Sequence, residues 1–398
     1  MSDLKVALIS HEFPPFAIGG IANHCYDLAW NLARRQIKTK VICGTTRKIE
    51  EHRRVNRFLE VIRLPFLNYP PRYFWFQLIN HRKLCKLIAD CNILHGVNPT
   101  ASLFSAYHEK KSGKALITTH HLNELQTLKM YVQMPLSELT FGDLMINALS
   151  YPLDDFIERK WFKYADQIII PGYATYEFMK KVYPSEYMDK VSVIYNGINF
   201  DKIQALRCNA QSLEESDLSI VSFSRLVSLK GIGQLLSGIK KLFSDFPSAH
   251  LKIFGDGPLR PILVKTIRRE KLERNVSIMG YVAYAELLSE VSRASFAVFP
   301  TFLEVGPFIS ALEAMACKKP IVVFDLPFNR EFVQHMKTGV MAKAGDMNDF
   351  IDKMAFLLSN EDLRKEIGEA AYTYVRKNHN WKYLVNNYIK IYEENVNS

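Results

Sequence analysis

Short apolar runs rich in β-branched residues alternate with longer segments of helical period along nearly all of this 398-residue chain. That alternation leaves little choice of architecture. Parallel strands need a crossover between them, and strands buried on both faces read as unbroken apolar runs, so the pattern predicts α/β domains built on parallel sheets. In the first half the strand-like runs are Leu4–Ser10, Thr39–Cys43, Val61–Leu64, Asn92–His95, Ala115–Thr119, Gln167–Ile170 and Val191–Tyr195, with helices predicted over Ile21–Arg35 and Arg72–Ile88. The rhythm restarts with Leu218–Ser222, Leu251–Phe254, Val276–Met279, Phe296–Phe299 and Pro320–Phe324. Two doubly wound domains follow, 1–197 and 198–379, joined near residues 197–215, where Asn196-Gly197 signals a turn. After Asn380 an amphipathic helix, about 380–398, is free to pack on either domain. Ligands of open sheets bind beyond the carboxyl ends of the strands, so a cleft between the domains is the expected site.

A hydrophobic content of 48% with 23% charged residues belongs to a globular chain and excludes general disorder. The start, MSDLKVALISHEFPP, does not read as a secretory signal, and no run of 18 apolar residues occurs. Six cysteines without CxxC spacing read as reduced core thiols of a cytosolic protein, not as a disulfide scaffold or a structural zinc site. The net charge of +10 is concentrated: between residues 53 and 86, Arg53, Arg54, Arg57, Arg63, Arg72, Arg82, Lys83 and Lys86 face only Glu60. Within Val61–Lys86 the run Tyr73-Phe74-Trp75-Phe76 stands among these cations, a mixture suited to an anionic membrane surface. The helix also belongs to the first sheet, where aromatics turned to the core and cations turned to water explain it slightly better. Nucleic-acid binding has little support, because no basic helix carries a base-reading pattern.

Four strand ends carry chemistry. The first strand leads through His11 and Glu12 to Gly19-Gly20 and a helix start, where a backbone amide cradle suits a diphosphate and a plain chain turn is equally well served. Arg225 and Lys230 flank the loop after Leu218–Ser222; they can converge on a phosphate or simply be solvated. In the stretch Phe302–Ala316, Gly306-Pro307 reads as a helix start that leaves the amides of Phe308 and Ile309 facing an anion. Glu313 lies on an otherwise apolar helix, so it needs either a basic neighbour or a ligand hydroxyl. After Ala115–Thr119 stand His120 and His121, the first able to meet a substrate, the second equally a cap or a surface residue. Gly255-Asp256-Gly257-Pro258 is a further strand-end turn.

Taken in order, Gly19-Gly20, Asn196-Gly197-Ile198, Arg225 with Lys230-Gly231, Gly255-Asp256-Gly257-Pro258, and Glu304 with Glu313-Ala314-Met315-Ala316 resemble glycosyltransferase family 4 over nearly the whole chain. The resemblance implies the GT-B fold, two Rossmann-like domains facing a central cleft, and retaining sugar transfer from a nucleoside diphosphate sugar. It implies that the first domain takes the acceptor and the second the donor, with the last helix around Trp381 crossing back to the first. It assigns Arg225 and Lys230 to the diphosphate and the departing charge, Gly19-Gly20 to the same phosphates, and Glu313 to the ribose. Glu304 and His120 are assigned to the transferred sugar, and the stretch around Val282 to the base. Glu304 and Glu313 are separated by eight residues where the family has seven, with Val305 at the usual place; Ser224 and Gly172 are lesser departures.

The leading expectation is a cytoplasmic hexosyltransferase, placed if anywhere at the cytosolic face of a membrane, acting from a UDP-, GDP- or ADP-sugar on a glycan or lipid-linked acceptor. It needs no metal or other cofactor, since no Asp-x-Asp triplet or histidine cluster is visible and Arg225 and Lys230 supply the charge. Two rivals remain: a sugar-nucleotide epimerase on the same architecture, distinguished by product from the donor alone, and a non-catalytic nucleotide-sugar-binding partner, distinguished by binding without turnover.

Overall fold

The computed structural model describes residues 4–15, 19–68, 72–121, 141–210, 218–304 and 306–396. Contacts divide the chain into two compact units, one drawn from Met1–Leu125, Ile146–Gly197 and Trp381–Ser398, the other from Gln126–Met145 and Ile198–Asn380. Val305, and residues 211–217 of the expected joint, lie outside the described residues.

The first unit is built on an eight-stranded sheet in the order β3-β4-β2-β1-β5-β6-β7-β8. Its strands are β1 (Lys5–Ser10), β2 (Lys38–Thr45), β3 (Glu51–Arg54), β4 (Leu59–Pro65), β5 (Ile93–Gly96), β6 (Ala115–Thr119), β7 (Gln167–Ile170) and β8 (Val191–Val193). Only β3 runs antiparallel to its neighbour. Val6 and Leu8 enter the core on one face and Ala7 and Ile9 the core on the other, which is why β1 is apolar without alternation. Every run read from the sequence as strand in this half is one, its ends shifted by two residues at most.

The helix Trp381–Val396 packs on this first unit, resolving the choice left open above. Trp381, Tyr388 and Tyr392 are fully buried with Leu28 and Leu32 of the helix Gly20–Arg34. Large aromatics bury about 150–250 Å² each, or roughly 4–6 kcal/mol apiece at 25 cal/mol per Å². Polar ties complete the seam: Arg35 Nη2 donates to the Lys382 carbonyl at 2.8 Å.

The basic segment divides on folding. Arg63 is not a surface residue; it is 5% exposed on β4, donating to the Pro14 carbonyl at 3.0 Å and standing 3.4 Å from Glu51 Oε1. Arg53 and Arg54 stay exposed on edge strand β3, where charge discourages pairing with other chains. On the helix Arg72–Leu87, Phe76, Gln77, Asn80 and Leu84 are buried, whereas Leu78 (46%) and Ile79 (53%) are exposed beside Arg82 and Lys83. Residues 69–71 lie outside the described residues.

The second unit holds a six-stranded, all-parallel sheet in the order β11-β10-β9-β12-β13-β14. The strands are β9 (Ser219–Phe223), β10 (His250–Phe254), β11 (Val276–Gly280), β12 (Phe296–Phe299), β13 (Ile321–Phe324) and β14 (Val340–Ala342). From β9 the chain winds outward through β10 and β11, then returns to lay β12 on the other side of β9. The strand order therefore reverses between β9 and β12, the place where open sheets accept ligands.

Candidate active site

The loops leaving β9 and β12 carry the charged residues singled out in the sequence. After β9 come Arg225 and a 3-10 turn over Ser228–Lys230, closed by Gly231 at φ +69°. A Cβ at Gly231 would stand 2.0 Å from the Pro300 carbonyl oxygen, so both backbone conformation and space demand glycine. The two loops are joined by the Phe302 amide donating to the Leu229 carbonyl at 3.0 Å and by Thr301 Oγ1 donating to the same oxygen at 3.3 Å. That juncture brings Lys230 Nζ into an ion pair with Glu304 Oε1, both side chains partly exposed. The Lys230 ammonium also lies 5.9 Å from the centre of the Phe308 ring. Arg225 is exposed and pairs with no described acid.

Pro307 does not open the next helix as expected. The helix is Ile309–Ala316 and Phe308 is its cap residue, because the Phe308 ring is buried between Phe299 and Phe332 (5.3 and 5.7 Å between ring centres) and fixes the entry. Gly306, at φ +157°, turns the chain toward it. The first intrahelical bond runs from the Leu312 amide to the Phe308 carbonyl, so the amides of Phe308, Ile309 and Ser310 have no acceptor within the helix. Their N–H groups and the positive end of the helix favour an anion.

Glu313 is buried, and a residue not singled out in the sequence supports it: the Tyr284 hydroxyl donates to Glu313 Oε1 at 2.7 Å. The phenol thus fixes one oxygen of the buried carboxylate in place. Lys202 Nζ stands 5.0 Å over the Tyr284 ring. The turn Gly255–Pro258 packs directly on the Arg225 loop, since the Leu226 amide donates to the Asp256 carbonyl at 3.0 Å and a Cβ at Gly257 would meet the Leu226 carbonyl oxygen at 2.4 Å. Its glycines are explained by packing alone. Val282 is half-buried just past β11, beside exposed Tyr281.

In the first unit, Gly19 caps the helix Gly20–Arg34 in an extended conformation. Among the described residues, a Cβ at Gly20 would meet nothing within 4 Å, and one at Gly19 only Glu12 Oε2 at 4.0 Å, so their packing requires neither glycine. Among the described residues, space is left for a group to approach this helix end. Phe16 to Ile18, which precede it, lie outside the described residues. His120 is fully buried, its Nδ1 3.4 Å from Glu158 Oε1 and its ring edge-on to Phe162, so it presents no exposed ring atom. Around it, the Tyr73 hydroxyl donates to Asp154, and burial, followed by the Glu158 charge, pushes the Asp154 carboxyl up to about 8.

Two parallel-sheet α/β units, with the charged loops of the second at its switch point, define the GT-B class of fold. Residues 18–202 match the model of Glycosyltransferase Family 4, and residues 208–374 match that of Glycosyl transferases group 1. The chain belongs to the group 1 glycosyltransferases of the family 4 type. An uncharacterized glycosyltransferase of Methanocaldococcus jannaschii is 29% identical over 59% of this chain and 63% of its own length. The chain thus spans less than two thirds of the first curated relatives it matches, a second from the same organism being covered over 64%. Among solved structures, a sucrose-phosphate synthase of Thermosynechococcus elongatus superposes with a TM-score of 0.79 at 18% identity, covering 98% of both chains. HepE of Anabaena, crystallised with UDP-glucose, gives 0.70 at 16% identity over 98% of this chain and 100% of that one.

No helix among the described residues is long and apolar enough to cross a membrane.

Proposed function

We propose that the chain is a retaining glycosyltransferase that moves a hexose-type sugar from a nucleoside diphosphate sugar to a glycan or lipid-linked acceptor without a divalent ion. The observation that carries this reading is the meeting of Lys230 and Glu304 at the β9/β12 switch point, beside the open first turn of Ile309–Ala316. Sugar transfer leaves a diphosphate whose negative charge must be stabilised as the glycosidic bond breaks. Lys230, Arg225 and the amides of Phe308 and Ile309 are the donors for that charge, Glu304 faces the sugar, and Glu313, held by Tyr284, accepts from the ribose hydroxyls. The UDP-glucose bound by the Anabaena protein of like fold supports this donor class.

A panel of UDP-, GDP- and ADP-sugars is expected to contain one that raises the melting temperature, since a ligand that binds only the folded state stabilises it. That donor should give product only with an acceptor, with its anomeric configuration kept, at equal rates in EDTA and in Mg²⁺. No stabilising donor, product from the donor alone, or dependence on Mg²⁺ would each overturn part of this reading.

The first unit favours an acceptor carried on an anionic membrane, because Leu78 and Ile79 stand exposed beside Arg72, Arg82, Lys83 and Lys86. Vesicles containing phosphatidylglycerol should co-sediment the chain at low salt and neutral vesicles should not, and replacing Leu78 and Ile79 by serine should abolish the effect. Absence of sedimentation with anionic vesicles refutes the surface.

A further inference from the structure

We propose that His81, Cys85 and His108 form a zinc-binding site in the first unit, built from residues that the sugar-transfer reading does not use. No short motif announces it in the sequence, where the cysteines read as inert thiols; folding assembles it from two helices. His81 and Cys85 are four residues apart on Arg72–Leu87 and therefore share a face, with Cys85 Sγ 3.9 Å from His81 Nδ1. The helix Leu103–Glu109 packs alongside and brings up His108, whose ring lies 6.0 Å from that of His81 at 83°. One ligand atom from each of the three residues falls within 4.8 Å of the others. Tetrahedral zinc, with bonds of about 2.0–2.1 Å to nitrogen and about 2.3 Å to sulfur, wants its ligand atoms about 3.3–3.6 Å apart. Small side-chain rotations close that difference, and His81 and Cys85 are already near it.

The donor set and its surroundings select the ion. Imidazole and thiolate suit Zn²⁺ or Co²⁺, whereas Mg²⁺ and Ca²⁺ want oxygen. Glu109 adds an acidic neighbour, its Oε1 3.8 Å from His108 Nε2, although Lys114 shares that carboxylate at 3.6 Å. Cys85 is partly exposed, while Cys25, Cys43, Cys91 and Cys317 are buried. Without an ion, an ordinary cysteine thiol holds its proton at neutral pH. Binding of Zn²⁺ replaces that proton on sulfur and releases it to solvent, with no change of oxidation state. Three protein ligands leave a fourth position for water, and the ion would tie the two helices together.

Titration of the tag-free, reduced full chain with Co²⁺ tests the site. A thiolate-to-cobalt absorption band should develop to one equivalent, be displaced by Zn²⁺ and be insensitive to Mg²⁺, and Zn²⁺ alone should raise the melting temperature. The band should vanish in Cys85→Ser and weaken at least about tenfold in affinity in His81→Ala and His108→Ala, with circular dichroism confirming that each variant is folded. Should Cys85→Ser fail to fold, loss of the band from the natural chain on alkylation protected by Zn²⁺ gives the same answer. Absence of the band, or a band unchanged in Cys85→Ser, overturns the proposal.

Discussion

Lys230→Ala is expected to lower turnover by about 10²–10³-fold, the effect of removing one preorganised donor from a developing charge, or about 2.7–4 kcal/mol. The lysine is well placed for this. Its loop is pinned by Gly231 against the Pro300 carbonyl and by the hydrogen bonds to Leu229, so no reorganisation is needed when charge appears. Thermal unfolding should change little, because the Lys230–Glu304 pair is partly exposed and such pairs contribute about 1 kcal/mol or less. Arg225→Ala should act in the same direction with even less effect on folding, its side chain being exposed. The comparison that separates the roles is Glu304→Gln, which removes the partner of Lys230 but not the cation. If Lys230 serves the diphosphate, Glu304→Gln lowers turnover while nucleotide affinity is kept, and Lys230→Ala weakens both. Turnover near the natural level in Lys230→Ala sinks the assignment.

How much of this was legible follows from where each residue's environment comes from. Strands such as Ile321–Phe324 are buried on both sides, so their apolar runs announce them. Glu51–Arg54 is a strand only because its backbone pairs with β4 at an open edge; its side chains are charged and carry no such signal. Strand β14, three residues long, is too short to show a period. At the site, strand-end position marked Arg225 and Lys230 and the family resemblance marked Glu304, but the pairing of Lys230 with Glu304 joins residues 74 apart and is a product of topology. Tyr284 could not be picked out for the same reason, since nothing local distinguishes a tyrosine that will reach Glu313 across 29 residues. Gly306-Pro307 misplaced the helix start by two residues because a buried phenylalanine, not the proline, sets it. Composition marked the basic segment, yet only the fold shows that Arg63 leaves it for the interior.

Lowering the pH from 7.5 to 5 is expected to reduce the melting temperature of the first unit by roughly 10 °C. The cause is a set of histidines buried neutral beneath the last helix. His95 is enclosed between Tyr392 and Thr119, whose hydroxyls lie 2.7 and 2.8 Å from its two ring nitrogens, and burial, then His121, holds it down to about 3. His24 lies against Trp381, 5.1 Å between ring centres, with the Tyr388 hydroxyl 3.3 Å from its Nε2; burial, then His121 and His95, keep it well below 6.5, against a smaller opposing pull from Asn196. A base whose folded pKa is depressed binds more protons unfolded than folded, so its contribution to stability is complete above 6.5 and declines as the pH falls below it. His121, lowered to about 3 by burial and then by His120, joins them, while Asp154, raised to about 8, binds protons in the fold and opposes them. At pH 5 each of the three histidines costs about 2 kcal/mol relative to neutral pH and Asp154 offsets about 3 kcal/mol, a net loss of about 3 kcal/mol, and about 2–4 °C is lost per kcal/mol in a unit of this size. The loss should appear first as faster hydrogen exchange in Trp381–Val396, the helix that rests on the His24 and His95 rings. His95→Gln keeps a polar partner for Tyr392 without a titrating ring, and should reduce the slope of melting temperature against pH by about two thirds. A flat profile between pH 7.5 and 5, or a slope unchanged in His95→Gln, would show that these histidines are not what makes the first unit sensitive to acid.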